Sequence, residues 1–115
     1  MKAILIDPVN QTVSEVEHDE SRSLASIYEL IEADCFDVVT VNMKRDGIHV
    51  DDEGLFKEDL YIFTYLDIEE MTHLAQLAGK GLILGCDDEG RAIAPSLTVE
   101  QVRRNVRFRG LCHLA

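Results

Sequence analysis

The order of apolar and polar residues along this chain predicts a mixture of strands and helices. Residues 2–6 are nearly all apolar, as expected for a buried strand. A turn-forming run at 7–10 separates them from residues 12–17, where apolar and polar side chains largely alternate. The two segments together predict a β-hairpin.

A helical period follows the hairpin after a short polar stretch. Apolar residues recur at intervals of three and four positions, at Leu24, Ile27, Tyr28 and Ile31. This spacing places them on one face of an amphipathic helix over about residues 23–33. Glu29 and Glu32 lie on its polar side.

The middle of the chain predicts a second hairpin, a strand and a helix. Residues 36–43 are rich in β-branched side chains, and a turn ending in Asp-Gly connects them to a partner strand at 48–50. Residues 60–66 have the composition of a strand. Asp67 then resembles an N-cap, and apolar residues at helical spacing predict a helix that ends at Gly79.

The last third of the chain predicts a third hairpin, a short helix and a strand. Residues 81–86 and 91–94 flank an acidic turn and form the hairpin. Thr98 is the N-cap of a helix that ends near Asn105. Alternation over 106–109 predicts a final edge strand.

The order of these elements decides the fold class. Strands come mostly as hairpin pairs and do not alternate singly with helices, which favours antiparallel over parallel pairing. The sequence therefore predicts one α+β domain over residues 1–115, with a mainly antiparallel sheet and two to three helices. A length of 115 residues suits one domain, and no Pro-rich or Ser-rich linker divides it.

Charge limits the classes of partner. The chain has 22 acidic and 11 basic residues, a net charge of −11. It lacks the basic surface that phosphate groups require, so nucleic acid and anionic membranes are not expected partners. Residues 100–115 are an exception to this excess of acidic residues, because they contain four arginines. They pair either with acids of the same chain or with an acidic patch on a second copy, which would give a homodimer.

Cysteine usage and hydropathy bear on the compartment. No apolar run reaches the roughly 18 residues of a membrane span, and the N-terminal apolar stretch is too short for a signal peptide. The three cysteines form no Cys-x-x-Cys motif, which favours free thiols in a reducing compartment. We therefore expect a cytoplasmic protein in which Cys35 and Cys86 are small buried side chains.

The tetrapeptide Asp-Asp-Glu-Gly occurs twice, each time after an apolar strand. Hard divalent cations bind carboxylate oxygens, so the two copies are weak candidates for a metal site. The candidate ligands are Asp51, Asp52, Glu53, Asp87, Asp88 and Glu89. The alternative, which we favour, is that acidic residues followed by glycine form exposed turns.

Other catalytic and cofactor motifs are missing from the sequence. There is no Gly-x-Ser-x-Gly elbow and no phosphate-binding glycine pattern. Cys112 and His113 are adjacent, without the spacing of a zinc site. His49 alternates with Ile48 and Val50 and is predicted to face away from them. We predict no catalytic residue and no cofactor.

Three segments resemble a family of small uncharacterised proteins from bacteriophages, plasmids and bacterial genomes. They read YELIEADCFDVVTV, VDDEGLF and GKGLILGCDDEG, and the similarity spans about residues 2–95. The family has no established activity, so the resemblance implies a mobile-element context and no mechanism.

These observations support two functions of different classes. The first is a small acidic, non-catalytic interaction or regulatory protein that binds a host protein. The second is a divalent-metal-dependent enzyme or small-ligand binder that uses the two acidic turns. A structural subunit of a larger assembly is a third interpretation, in which Tyr61, Phe63 and Tyr65 on one strand face would form an interface.

Overall fold

Nine strands and two helices make up the part of the chain that the computed structural model describes, namely residues 1–42, 44–52, 59–66 and 74–113. The strands are β1 (Lys2–Asp7), β2 (Thr12–Glu17), β3 (Phe36–Thr40), β4 (Gly47–Asp51), β5 (Asp59–Leu66), β6 (Leu74–Ala78), β7 (Gly81–Cys86), β8 (Ala92–Ile93) and β9 (Val106–His113). The helices are α1 (Ser23–Ile31), which follows a 3₁₀ turn at Glu20–Arg22, and α2 (Val99–Asn105).

The strands form two antiparallel sheets. The larger sheet has the order β2-β1-β7-β4-β3, with β8 paired to β7, and the smaller has the order β6-β5-β9. The three predicted hairpins are present as β1–β2, β3–β4 and β7–β8. The prediction of an α+β fold with a mainly antiparallel sheet and two to three helices is confirmed.

Alternation along the strands gives the larger sheet two different faces. On one face, Ile48 and Ile83 belong to a core that also contains Phe63 of the smaller sheet. On the other face, Leu82 packs with Ile27 of α1. Burying one such side chain contributes about 1.5–3 kcal/mol, so both faces stabilise the fold.

Two of the three rings on the predicted aromatic face of β5, those of Phe63 and Tyr65, lie in the core, whereas Tyr61 is partly exposed. Phe63 and Tyr65 have no exposed surface. The Tyr65 hydroxyl accepts a hydrogen bond of 3.0 Å from Nδ2 of Asn105 at the end of α2. Both groups are buried, so each satisfies the polar atom of the other. Packing within the chain therefore accounts for these two rings.

A β-bulge interrupts the pairing of β5 with β9. Phe63 pairs with Phe108 and Ile62 with Gly110, which leaves Arg109 as an extra residue on β9. Gly110 has φ of +76°, a conformation that glycine adopts without strain. Such a bulge bends and twists the strand that carries it. The outer strand of the smaller sheet is thus irregular at Arg109.

The helix predicted up to Gly79 is wrong over residues 74–78, which form β6. This strand pairs with β5, and Ala75 and Leu77 contact the core while Gln76 between them is exposed. Ala, Leu and Gln favour helices, but pairing with β5 decides the local structure. The rest of the predicted helix, residues 67–73, lies outside the described residues.

The helices predicted over about 23–33 and from Thr98 to about Asn105 are present as α1 and α2, and α1 ends two residues earlier than predicted. α1 stops at Glu32, which has φ of +57°, and the N–H of Ala33 donates to the carbonyl of Tyr28. At the start of α2, the side chains of Thr98 and Gln101 each accept a hydrogen bond from the backbone N–H of the other, forming a capping box. Neither helix is long and apolar enough to cross a bilayer.

A buried carboxylate joins two distant parts of the chain. Asp46, before β4, is 1% exposed. Its oxygens accept hydrogen bonds from Nδ2 of Asn42 at 2.8 Å and from the Ser96 N–H and hydroxyl at 3.0 and 2.5 Å. The Leu97 N–H donates a fourth at 3.2 Å. Asp46 thus attaches the β3–β4 turn to the segment that leads into α2.

We predict that Asp46→Asn lowers the free energy of unfolding by about 2 kcal/mol, because an amide nitrogen facing these donors leaves buried hydrogen bonds unmade. Chemical denaturation measures the change. Asp37→Asn on exposed β3 is the control and should stay within about 0.5 kcal/mol of the wild type. Equal stability of the two variants would contradict this role of Asp46.

Candidate functional site

The two acidic segments lie at opposite ends of the β4–β7 pair. The antiparallel register pairs His49 with Leu82, so Asp51 lies beyond the start of β7 and Asp87 lies just past its end. At about 3.3 Å per strand residue, roughly 20 Å separates the two segments.

The carboxylates of the second segment are already partnered within their own turn or with a neighbouring arginine. Asp87 accepts hydrogen bonds from the N–H groups of Glu89 and Arg91 at 2.9 and 2.8 Å, and these bonds lower its pKa. Glu89 pairs with the Arg91 guanidinium, and Asp88 pairs with Arg45 at 3.2 Å. These contacts fit the turn interpretation of the tetrapeptide.

The first segment is described only in part. Asp52 is exposed in a turn after β4, and Glu53 lies outside the described residues. Within the described ranges, no three His, Cys, Asp or Glu side chains are grouped so that they could hold a metal ion. The metal site that we considered for both segments stays a prediction.

A cleft of about 520 Å³ opens between the C-terminal end of α1 and the start of β3. We call it the acidic cleft, because carboxylates dominate its lining. Its main lining residues are Tyr28, Glu29, Glu32, Asp34, Cys35 and Asp51.

The acidic residues of this cleft stand where a helix favours cations. The C-terminal end of a helix carries partial negative charge, and each nearby carboxylate costs about 0.3–1 kcal/mol. α1 nevertheless has Glu29 in its last turn and Glu32 at its C-cap, and it has no basic residue in the last turn. Residues that lower the stability of their own helix or strand are typical of functional sites.

Two cations offset part of this charge from outside the cleft. Arg22 lies 3.1 Å from Glu29, and Lys80 lies 3.1 Å from Glu32. Exposed ion pairs of this kind contribute only about 0–1 kcal/mol. Among the described residues, the carboxylates of Glu29, Glu32 and Asp34 still outnumber these two cations, so the cleft attracts positive charge.

A row of aromatic rings separates the acidic cleft from a second depression. The Phe36 ring centroid lies 5.5 Å from that of Tyr28 and 5.2 Å from that of His49. Beyond His49 is a depression of about 360 Å³, which we call the His49 recess. It is lined mainly by Val38, Thr40, Gly47, His49, Leu84 and Cys86. Most of its surface is apolar, and the charged residue of its described lining is Arg45, which pairs with Asp88 at 3.2 Å.

The imidazole of His49 has a defined tautomer and a lowered pKa. Its Nδ1 lies 3.1 Å from the Leu82 carbonyl, which can only accept, so Nδ1 carries the proton and Nε2 is an acceptor. Burial lowers the pKa of His49, and hydrogen bonds to the backbone of Leu82 and Gly47 only partly oppose this effect. As predicted, the ring faces away from Ile48, but it is half-buried.

His18 is the second histidine with a lowered pKa. It is 1% exposed, and its Nε2 lies 3.1 Å from the Ser23 hydroxyl. Burial lowers its pKa, and the N-terminal ammonium group adds to the effect. Both imidazoles are therefore neutral at pH 7.

The residues of the cleft were only partly foreseen from the sequence. Glu29 and Glu32 lie on the polar side of α1 as predicted. Cys35 was expected to be buried, but it is exposed and lines the cleft, because the helix ends before it and β3 starts after it. Cys86 is partly exposed. The sequence feature that indicates the cleft is the cluster of acidic residues at the end of the predicted helix.

Comparison with known proteins places the chain in a family. The model of the family described as Domain of unknown function (DUF3846) matches residues 1–109. This agrees with the resemblance to a family without established activity. Searches of curated proteins and of solved structures returned no match.

We predict that stability falls as the pH is lowered through about 6.5, the ordinary imidazole pKa in the unfolded chain. Because the pKa values of His18 and His49 are lower in the fold, the unfolded chain binds more protons in this range. The melting temperature measured against pH should drop there. The double variant His18→Gln, His49→Asn should flatten the profile, and a flat wild-type profile would contradict the prediction.

We predict that Mg²⁺, Mn²⁺ and Ca²⁺ at millimolar concentration leave the melting temperature unchanged, because no three His, Cys, Asp or Glu side chains of the described ranges are grouped around one position. Calorimetric titration should likewise show no binding heat. A stabilising shift that Asp88→Asn abolishes would instead support the metal-dependent alternative.

Proposed function

We propose that this chain, which belongs to the DUF3846 family, is a non-catalytic interaction protein that binds a basic segment of another protein in the acidic cleft. One observation carries the proposal: the carboxylates of Glu29 and Glu32 stand at the C-terminal end of α1, where they oppose the helix dipole. A cationic partner would relieve this cost.

The shape and chemistry of the cleft suit a lysine or arginine side chain. Asp34 supplies a further carboxylate beside those of the helix, and Tyr28 offers an aromatic ring. Carboxylates bind ammonium and guanidinium groups through charge-assisted hydrogen bonds, and an aromatic face adds a cation–π contribution. The net charge of −11 would steer a basic partner towards the protein.

Among the described residues, contacts within the fold engage the buried polar side-chain atoms except Nδ1 of His18, and this supports a binding function over a catalytic one. Asp46 bonds to the segment before α2, and Asp7 accepts hydrogen bonds from the N–H groups of Val9 and Asn10. His18 contacts Ser23.

We propose the cytoplasm as the compartment of this protein and a host protein as its partner, on the basis of its sequence. Its free thiols, including exposed Cys35, suit the reducing cytoplasm. The resemblance to proteins of phages and plasmids makes a host protein the partner that we propose.

The test is affinity capture from a bacterial lysate with the wild type and two neutralised variants. The cleft variant carries Glu29→Gln, Glu32→Gln and Asp34→Asn, and the control variant carries Glu15→Gln, Glu17→Gln and Glu100→Gln. We predict that the cleft variant retains about tenfold less of the captured protein, whereas the control variant retains it. Raising the salt should also release it.

The melting temperature shows whether the cleft variant is folded. Removing carboxylates from the helix end relieves the dipole, so we expect no loss of stability. A wild type that captures nothing at low salt would refute the proposal, as would equal loss in the two variants.

A further inference from the structure

The outer edge of β3 is open in the described part of the chain. β3 is the terminal strand of the larger sheet and pairs there with β4 alone. Its sequence, Phe-Asp-Val-Val-Thr, is β-branched over the last three positions. Val38 is 49% exposed, and Asp37 and Thr40 are exposed as well. An edge of this kind has backbone groups ready to pair with another strand.

Two other edges of the same molecule carry features that discourage pairing. β2, at the opposite edge of the larger sheet, exposes Glu15 and Glu17. β9, at an edge of the smaller sheet, has the bulge at Gly110 and exposes Arg107 and Arg109. Charged residues and bulges are the usual protection of sheet edges. β3 has no bulge and one charged residue, Asp37, whereas β2 and β9 each expose two.

The open edge runs between the acidic cleft and the His49 recess. Asp34 and Cys35, just before β3, line the cleft, and Val38 and Thr40 line the recess. Both depressions lie on the α1 side of the sheet. Asp34 and Val38 are four residues apart, or roughly 13 Å along a strand. Alternate side chains of an extended peptide point to the same side, so one peptide could fill both depressions.

We propose that β3 pairs with an extended segment of a partner protein, which places a lysine or arginine in the acidic cleft and, four residues away, an aliphatic side chain in the His49 recess. The inference rests on the proposed function, because it specifies how the basic partner binds. Backbone hydrogen bonds to β3 supply affinity, and the two depressions select the side chains.

Charge favours a basic partner over a second copy of this chain. Two copies, each with a net charge of −11, repel one another. Antiparallel pairing of two β3 strands about Val38 would place each acidic cleft beside the His49 recess of the other copy. The cation that this arrangement brings nearest to the cleft is Arg45 of the recess, and Arg45 already pairs with Asp88 of its own chain at 3.2 Å.

Selection from a displayed library of random dodecapeptides tests the inference. We expect enriched peptides with a lysine or arginine four positions from an aliphatic residue, within a β-branched run. Val38→Lys should reduce the retention of these peptides about tenfold, because the new ammonium group repels the ligand and fills the recess. Val9→Lys is the matched control, since Val9 is 54% exposed in the β1–β2 turn, away from β3.

Backbone methylation of one enriched peptide separates strand pairing from simple charge attraction. Methyl groups on the alternate amides that face β3 should abolish binding, and those on the intervening amides should leave it unchanged. Asp34→Asn should weaken binding and reduce its salt dependence. These results together would support the inference.

Each of the other results overturns the inference, either alone or together with the proposed function. If Asp34→Asn weakens binding but Val38→Lys and methylation do not, the strand pairing is overturned and the proposed function stands. If no peptide is enriched while lysate capture succeeds, the extended ligand is overturned. If nothing binds in either assay, both proposals fail. A wild type that sediments as a dimer and a monomeric Val38→Lys variant would show that a second copy occupies the edge, which also overturns the inference.

Discussion

The carboxylate of Asp46 is the interaction on which the arrangement of the two sheets depends. It is enclosed, and its four donors come from the turn before β4 and from the segment before α2, about fifty residues further on. That segment leads into a helix whose Val102 lies in the core shared by both sheets. A buried carboxylate without donors would be very costly, so contact between the two segments stabilises the fold. It also fixes the turn of the hairpin in which β3 pairs with β4.

The local elements could be predicted from the sequence because their signals are local. The Asp46-Gly47 turn, the Thr98 cap and the alternation in β1 and β2 each act within a few residues. The order of strands in the larger sheet and the hydrogen bonds of Asp46 connect residues far apart in sequence, and no short pattern encodes them. β6 shows the same limit, because its residues favour a helix until β5 is present as a partner.

The candidate site likewise has one part that the sequence predicts and another that only the fold shows. The polar side of α1 was predicted, since the helical period places Glu29 there. The cleft needed the fold, because it forms only when the end of the helix, the start of β3 and Asp51 of β4 come together. Cys35 shows why composition alone misleads: cysteine is commonly buried, yet a residue between a helix end and an edge strand has little around it to cover it.

The carboxylates along β2 have a consequence for the kind of complex this protein can form. A sheet that accepted new strands at both edges could grow into a fibre by repeated addition. Here the charges of Glu15 and Glu17 discourage strand addition at the β2 edge. A further strand can therefore join the larger sheet only at β3. A partner strand that filled that position would leave the charged β2 edge as the other end of this sheet, so the complex would have a fixed stoichiometry.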